Sequence, residues 1–431
     1  MSVSRKPVSK KSFSQSVLMA GLFAAASFVP VHAAPTCDAD NGGLTLPQGF
    51  CAQVVANDLG TARHLAVAAN GDLYVALQGE GEKGGVVALR DTNGDGKFDE
   101  KEHFGSGSLT GIALHNGYLY VAGRNTVLRW KMTAGQLKPT GEPETVVTGL
   151  EGVRQHGDKG ITFDGKGGLY VNVGAPSNAC QKDDRKAESK GQDPCPILEM
   201  HGGIWKFDEN KLGQKQTDGQ HFATGLRQMP AIAWGGDALY ITMNNRDSLD
   251  QLWPGKFTAE ENQERPAEPM FRAVADTSKN NFGWPYCFWD FGMKKFITMP
   301  EYGGDGKSSD RCGSFTSPVA AFPAHWAPVD MMFYSGSQFP AKYKGGAFIA
   351  FHGSWNRAPG EQKGYNITFQ PVKNGTADGN YEVFADGFKG GPITDPTKAV
   401  ARPDGVAQGP DGSLYIGDSQ KGKIWRVMYR K

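Results

Sequence analysis

The 431-residue sequence predicts an all-β fold, a six-bladed β-propeller, on three observations. Six segments repeat a Gly-based turn followed by a Leu-Tyr-Val type strand. They fall at Asn70–Ala76, Asn116–Ala122, Asp164–Val173, Gly235–Thr242, Lys344–Phe351 and Asp411–Asp418. The early repeats are spaced by about 50 residues, the size of one four-stranded blade. Glycine is abundant, at 58 residues, as an architecture full of tight turns requires. One small sheet cannot bury both faces; six in a closed ring can.

The chain opens with a segment that reads as a secretory signal, Met1–Ala33. Arg5, Lys6, Lys10 and Lys11 precede an apolar run at Val17–Val31, and Val31-His32-Ala33 has the small-x-small form of a cleavage site. The apolar run is short for a membrane span, so the expected product is an exported chain, periplasmic or secreted, with residues 34–431 as one catalytic propeller domain. The formal net charge is +1 with the leader's basic residues included. No basic patch points to nucleic acid, and no later segment is apolar enough to form a stable membrane span.

The six cysteines, all beyond the leader, fall in three local couples: Cys37–Cys51, Cys180–Cys195 and Cys287–Cys312. An exported chain favours disulfides. Proximity selects these pairs from the 15 that six cysteines allow. No haem-attachment motif is present.

A strand precedes most repeats: HLAVAA, GIALHN, GITFDG, AIAWGG and GVAQGP. Another follows: VVALR, VLRW, IWKF and IWRV. Their apolar residues alternate, as strands require. Phe50–Ala56 and Lys423–Tyr429 stand at the two ends, and pairing them would close the ring and remove its exposed edges. The longer later steps place connecting loops at Ser177–Glu199 and Trp253–His325.

Asp91–Glu102, DTNGDGKFDEKE, matches a twelve-residue calcium loop, with oxygens from Asp91, Asn93, Asp95, Asp99 and Glu102 and a sharp turn at Gly96. Strands flank it, so it is either a structural calcium site on a blade edge or a polar hairpin tip.

Residues just before each innermost strand converge on one mouth of a propeller. Here they are polar: Arg63; Arg154, His156, Asp158 and Lys159; Arg227 and Gln228; His325 and Asp330; Arg402 and Asp404. Any one of these residues alone would read as a hydrogen-bonded or solvated loop residue. Their recurrence predicts a cationic mouth with histidines, suited to a small polyanion.

The runs RQHGDKGITF, LRQMPAIAW, NNRDSL, NFGWPYC, FHGSWNR and RPDGVAQGPDGSLYIGD give the chain a family likeness. It resembles the soluble pyrroloquinoline quinone (PQQ) dependent sugar dehydrogenases, and within them the L-sorbosone dehydrogenase branch and the fungal pyranose dehydrogenases. The likeness implies oxidation of an aldose or aldehyde, with hydride passing to the quinone and electrons to an external acceptor such as a soluble cytochrome or a quinone. By position, His156 matches the general base. Arg227 and Arg402 match carboxylate-pairing arginines, with Arg63, Lys159, Gln228, His352 and Arg357 as further cofactor-binding candidates. A Ca2+ ion bound to the quinone would be held by the loop beginning Asn244-Asn245. The chain departs from the glucose-oxidising members at Gln228, at FHGSWNR where they have a lysine, and at Asp404 where they have an arginine. Two other readings keep the fold: a calcium-dependent lactonase or esterase, and a non-catalytic binding propeller.

Overall fold

The computed structural model describes residues 1–8, 35–152 and 154–430; most of the leader, with its apolar run and cleavage site, lies outside the described residues. Six sheets make the ring, five of them four-stranded and antiparallel; the blade 2 sheet carries a fifth strand, Gln214–Lys215, which pairs parallel with Glu144–Thr148 at its outer edge. From the axis outward, blade 1 runs Ala62–Val67, Leu73–Leu77, Gly85–Arg90 and Glu100–Phe104. Blade 2 begins at Leu109–His115, blade 3 at Ile161–Phe163, blade 4 at Ile232–Gly235, blade 5 at Pro328–Phe333 and blade 6 at Pro403–Gln408. The expected closure is present. Phe50–Ala56 adds the fourth strand to blade 6, pairing antiparallel with Ile424–Tyr429 from Phe50 opposite Tyr429 onward.

The repeated aromatic has a packing cause. Tyr74, Tyr120, Tyr170, Tyr240, Phe348 and Tyr415 are all buried. Each enters an apolar cluster shared with the next blade: Tyr74 with Ile112 and Val121, Tyr120 with Val171, Tyr170 with Ile232, Tyr240 with Met331, Phe348 with Ile416, and Tyr415 with Leu65. Six such wedges tilt six sheets into a ring. Hydrophobic burial between the blades, rather than within them, therefore holds the fold together.

All three disulfides form as the spacing suggested. Two of them lie in the long insertions, which build their own core from Leu249, Trp253, Trp284, Phe288 and both Cys180 and Cys195. The insertion in blade 3 follows its second strand, and so rises on the face where the inner strands begin. The insertions in blade 4 join it there: Arg246 and Glu301 form a fully buried ion pair at 2.6 Å, and Trp253 Nε1 donates to the same carboxylate. These contacts fix the wall of the mouth.

The loop Asp91–Glu102 folds on itself. Asp91 accepts from the Gly94 and Gly96 amides, Asn93 from Asp95, Asp95 from Lys97, and Asp99 from Thr92. Glu102 is not brought to the loop. It stands in the outer strand opposite Ala88 and pairs with Lys138. A calcium loop uses a following helix to return its twelfth residue, and here a strand carries that residue away. Among the described residues no three His, Cys, Asp or Glu side chains converge as a metal site.

Phe50 sits where closure meets blade 5, edge-on to Phe339, Tyr343 and Phe384. Phe50→Ala should lower unfolding free energy by about 3–5 kcal/mol, measured by chemical denaturation. A loss below about 1 kcal/mol would show that ring closure does not rest on this strand.

Candidate active site at the axial mouth

The polar residues that precede the inner strands do meet around one mouth, but the mouth is not simply cationic. A guanidinium taken out of water needs a partner, and carboxylates supply it. Arg63 of blade 1 donates Nη2 to Asp158 at 2.6 Å and Nη1 to Asp404 at 2.8 Å, tying blade 1 to blades 3 and 6. Asp404 thus stands in the ring as the counter-charge of Arg63. Arg227 donates Nη2 to Asp247 at 2.6 Å and Nη1 to the Asn245 carbonyl at 2.8 Å.

Asp247 holds the second half of the ring. Its carboxylate also takes Arg185 and the side-chain amide of Asn356, and its backbone N–H donates to Asn178 Oδ1. The charge of Arg227 holds its carboxyl well below the usual range, even against burial. Glu268, buried beneath and accepting from the Asn245 amide, is instead pushed up to about 8 by burial. Its charged form is thus disfavoured, and the carboxylate in contact with Arg227 is that of Asp247. Asp247, Glu268, Asn178 and Asn356 were not singled out from the sequence. Asp247 could have been, since it sits inside the NNRDSL run. Asn178 and Asn356 arrive on loops whose paths no periodicity encodes.

His156 lies on the blade 3 loop, at a positive φ of 58°. Its Nδ1 is 2.6 Å from the Ala175 carbonyl. A carbonyl only accepts, so Nδ1 carries the hydrogen and Nε2 keeps its lone pair. Burial and the nearby Arg227 charge push the ring's pKa down to about 3. The imidazole is therefore neutral at working pH, with its basic nitrogen free. Lys159 helps hold this loop: its fully buried ammonium donates to the Glu151 and Gly157 carbonyls rather than into the mouth.

Across the axis, Arg402 is buried. Nε and Nη2 donate to the His352 and Gly353 carbonyls, and the exposed Trp355 ring covers the guanidinium at 4.4 Å. His352 reaches Ser419 Oγ at 2.7 Å and stands 3.8 Å from Asp404. Arg357 lies outside this ring. It binds Glu264 and the carbonyls of Gln263, Ala324 and Glu361, so it braces the loop that carries Trp355 and Asn356.

Several buried groups in the ring have no partner among the described residues: Arg63 Nε, Arg227 Nε, Arg402 Nη1, Gln228 Oε1 and Asp404 Oδ1. Three of these are arginine N–H donors, on blades 1, 4 and 6, and a guanidinium N–H is the group that pairs with a carboxylate. The Asn244–Asn245 loop fits a calcium ion less well. Arg227 already occupies the Asn245 carbonyl and lies 3.4 Å from that of Asn244, while the Asn244 and Asn245 side chains donate to the Pro328 and Ala267 carbonyls.

Fold and mouth together define a propeller of one recognisable class. A family model described as TrAA12-like matches residues 44–430, and the chain belongs to that family. It is similar to the pyrroloquinoline quinone-dependent pyranose dehydrogenase of Coprinopsis cinerea, with 23% identity over 351 residues, covering 76% of this chain and 45% of that protein. The chain therefore spans less than half the length of that curated relative. The holo PQQ domain of the Coprinopsis cinerea enzyme superposes with a TM-score of 0.71 at 19% identity, covering 93% of this chain and 99% of the other. The calcium structure of the Trichoderma reesei family AA12 protein gives 0.70 at 17% identity, covering 92% and 99%. The apo soluble aldose sugar dehydrogenase of Escherichia coli gives 0.57 at 16%, covering 88% and 100%. These likenesses show a shared fold.

The state of His156 is open to direct measurement. An NMR titration of its ring should show no protonation near pH 6.5, and Arg227→Gln should raise the midpoint by removing a positive neighbour. Between about pH 3 and 6.5 the unfolded chain takes a proton that the folded site refuses, so this group makes stability fall as acid is added across that window. A midpoint at 6.5 in the wild type would mean that the ring is solvated and uncoupled from Arg227.

Proposed function

We propose that the mouth binds PQQ and oxidises an aldose or a sugar-derived aldehyde, in an exported enzyme that is periplasmic or secreted. One observation carries this reading: arginine N–H groups of blades 1, 4 and 6 lack partners among the described residues, and the neutral His156 imidazole keeps its Nε2 free. Family membership and the similarity to a protein named as a PQQ-dependent pyranose dehydrogenase support it. So do the three disulfides, which suit an oxidising compartment. Among the described residues no helix is long and apolar enough to cross a membrane.

When bound, the quinone supplies a two-electron acceptor beside the substrate carbon. The protein's own residues do the rest. Arg402 Nη1 and Arg227 Nε, buried and without partners among the described residues, would pair with carboxylates once the groups that cover them give way. Arg63 contributes Nε while its terminal nitrogens keep the ring closed. Gln228 Oε1 and His352 line the rim and orient hydroxyls. His156 Nε2 takes the proton of the substrate hydroxyl as the carbon gives up hydride. The Ala175 carbonyl fixes the tautomer that makes this possible. The exposed face of Trp355 offers an apolar wall at the entrance. An external acceptor, a soluble cytochrome or a quinone, removes the electrons. Calcium belongs to this reading only if Arg227 leaves the Asn245 carbonyl, so no step is assigned to it.

Reconstitution tests the reading. Purified protein with PQQ should develop a quinone absorbance that sugar bleaches. His156→Asn should retain the quinone and lose about 10²–10⁴-fold in turnover. Arg402→Ala should weaken quinone binding by at least about tenfold, the worth of one charge-assisted bond. Unchanged turnover in the first variant, or unchanged affinity in the second, would remove that residue from its role. For calcium, Arg227→Gln should bind the ion more tightly than wild type in a calorimetric titration; equal binding would separate the metal from this loop.

A further inference from the structure

Beneath the mouth the axis carries a second polar group that the reaction just described does not use. His64, next to Arg63, points down the shaft. Its Nε2 is 2.9 Å from the Val329 carbonyl and so bears the hydrogen. Its Nδ1 lone pair faces Asp330 Oδ1 at 3.7 Å. Asp330 accepts from the Met331 and Val406 amides, and among the described residues no lysine or arginine pairs with it. Burial pushes its pKa up to about 8. Asp404 lies between this pair and the mouth, held by Arg63 and within 3.8 Å of His352, with Oδ1 unpartnered. Burial raises it to about 6, and Arg63, His64, Asp158 and Asp330 all act on it.

His64 and Asp330 also form the inner end of a cavity of about 380 Å³ along the axis. It runs between the inner strands past Ala113, Thr162 and Ala407 to Gln408 and Ser335. Ser335 is exposed and lies just beyond the end of blade 5's inner strand, and Gln408 is half-buried and is the last residue of blade 6's inner strand, both at the end opposite the mouth. The cavity has room for several water molecules and polar groups at both ends to hold them.

Resting on the dehydrogenase reading, the stoichiometry needs such a route. Oxidising a hydroxyl-bearing carbon to a carbonyl breaks one C–H and one O–H bond and releases two electrons and two protons. An external acceptor that takes only electrons leaves both protons behind, in a mouth closed over by substrate. We propose that Asp404, His64 and Asp330 form a proton outlet, passing protons from the mouth into the axial cavity and out through the far face. Asp404 Oδ1 receives the proton at the mouth side. His64 Nδ1 and Asp330, 3.7 Å apart at the inner end of the cavity, pass the proton on through water there.

The proton on Asp330 can be read without the cofactor. Infrared spectroscopy of the apoprotein at neutral pH should show the carbonyl stretch of an un-ionised carboxylic acid. One component should shift in heavy water and vanish in Asp330→Asn. With quinone loaded, Asp330→Asn and His64→Gln should slow steady-state turnover with a one-electron acceptor about tenfold. Bleaching of the quinone by sugar in a single turnover should change less than about twofold. Ala113→Leu fills the cavity without altering a polar group. It should slow the same steady-state step, and it guards against a folding defect in the polar variants. An ionised Asp330 in the wild type, or full turnover with the cavity filled, overturns the proposal. A wild type that binds no quinone overturns the reading of the mouth, and with it the outlet, while leaving the infrared band in place.

Discussion

Charge cannot be buried on a propeller axis unless it is matched, and that constraint shapes everything at this mouth. Arg63 and Arg227 are almost wholly removed from water. Each is held by carboxylates from other blades or loops, Asp158 and Asp404 for one and Asp247 for the other. Leaving either arginine unpaired would destabilise the fold by several kcal/mol. The pairs of Arg63 therefore tie blade 1 to blades 3 and 6, and that of Arg227 ties the start of blade 4 to its own insertion. They also leave specific N–H groups unsatisfied, and those groups are what a ligand can use. A site built this way is organised before anything binds.

Much of this was legible in the sequence. The Gly-turn and Leu-Tyr-Val repeat encodes a wedge that serves the same purpose in every blade, so a single pattern revealed six interfaces. The strand Phe50–Ala56 and the last strand were recognisable because closure demands a partner for both. The polar residues before the inner strands were legible as a ring because their position recurs. The sign of the ring was not. Asp158 and Asp404 were in view, but that both would neutralise Arg63 depends on blades meeting around the axis, 95 and 341 residues apart in the chain. Arg357 shows the same limit: its motif neighbours Trp355 and Asn356 reach the mouth, while its own guanidinium turns outward to Glu264. Glu102 fitted a calcium loop by spacing, yet the strand that carries it faces it toward Lys138.

The long insertions link stability to function. Their disulfides and their private core hold Asn178 and Arg246 in place, and through them Asp247, Arg227 and finally His156. The imidazole owes its free Nε2 to one backbone carbonyl and its neutrality to burial beside a guanidinium. Neither property belongs to the histidine alone. In the proposed dehydrogenase, base strength and cofactor affinity are therefore set by the same arginine.

The most direct test of this account is a crystal structure of the protein soaked with PQQ. It should show the planar ring across the mouth, with carboxylates on Arg402 Nη1 and Arg227 Nε and His156 Nε2 facing the open side where a sugar hydroxyl would lie. An empty mouth at saturating quinone, or a quinone bound elsewhere with these three groups untouched, would contradict it.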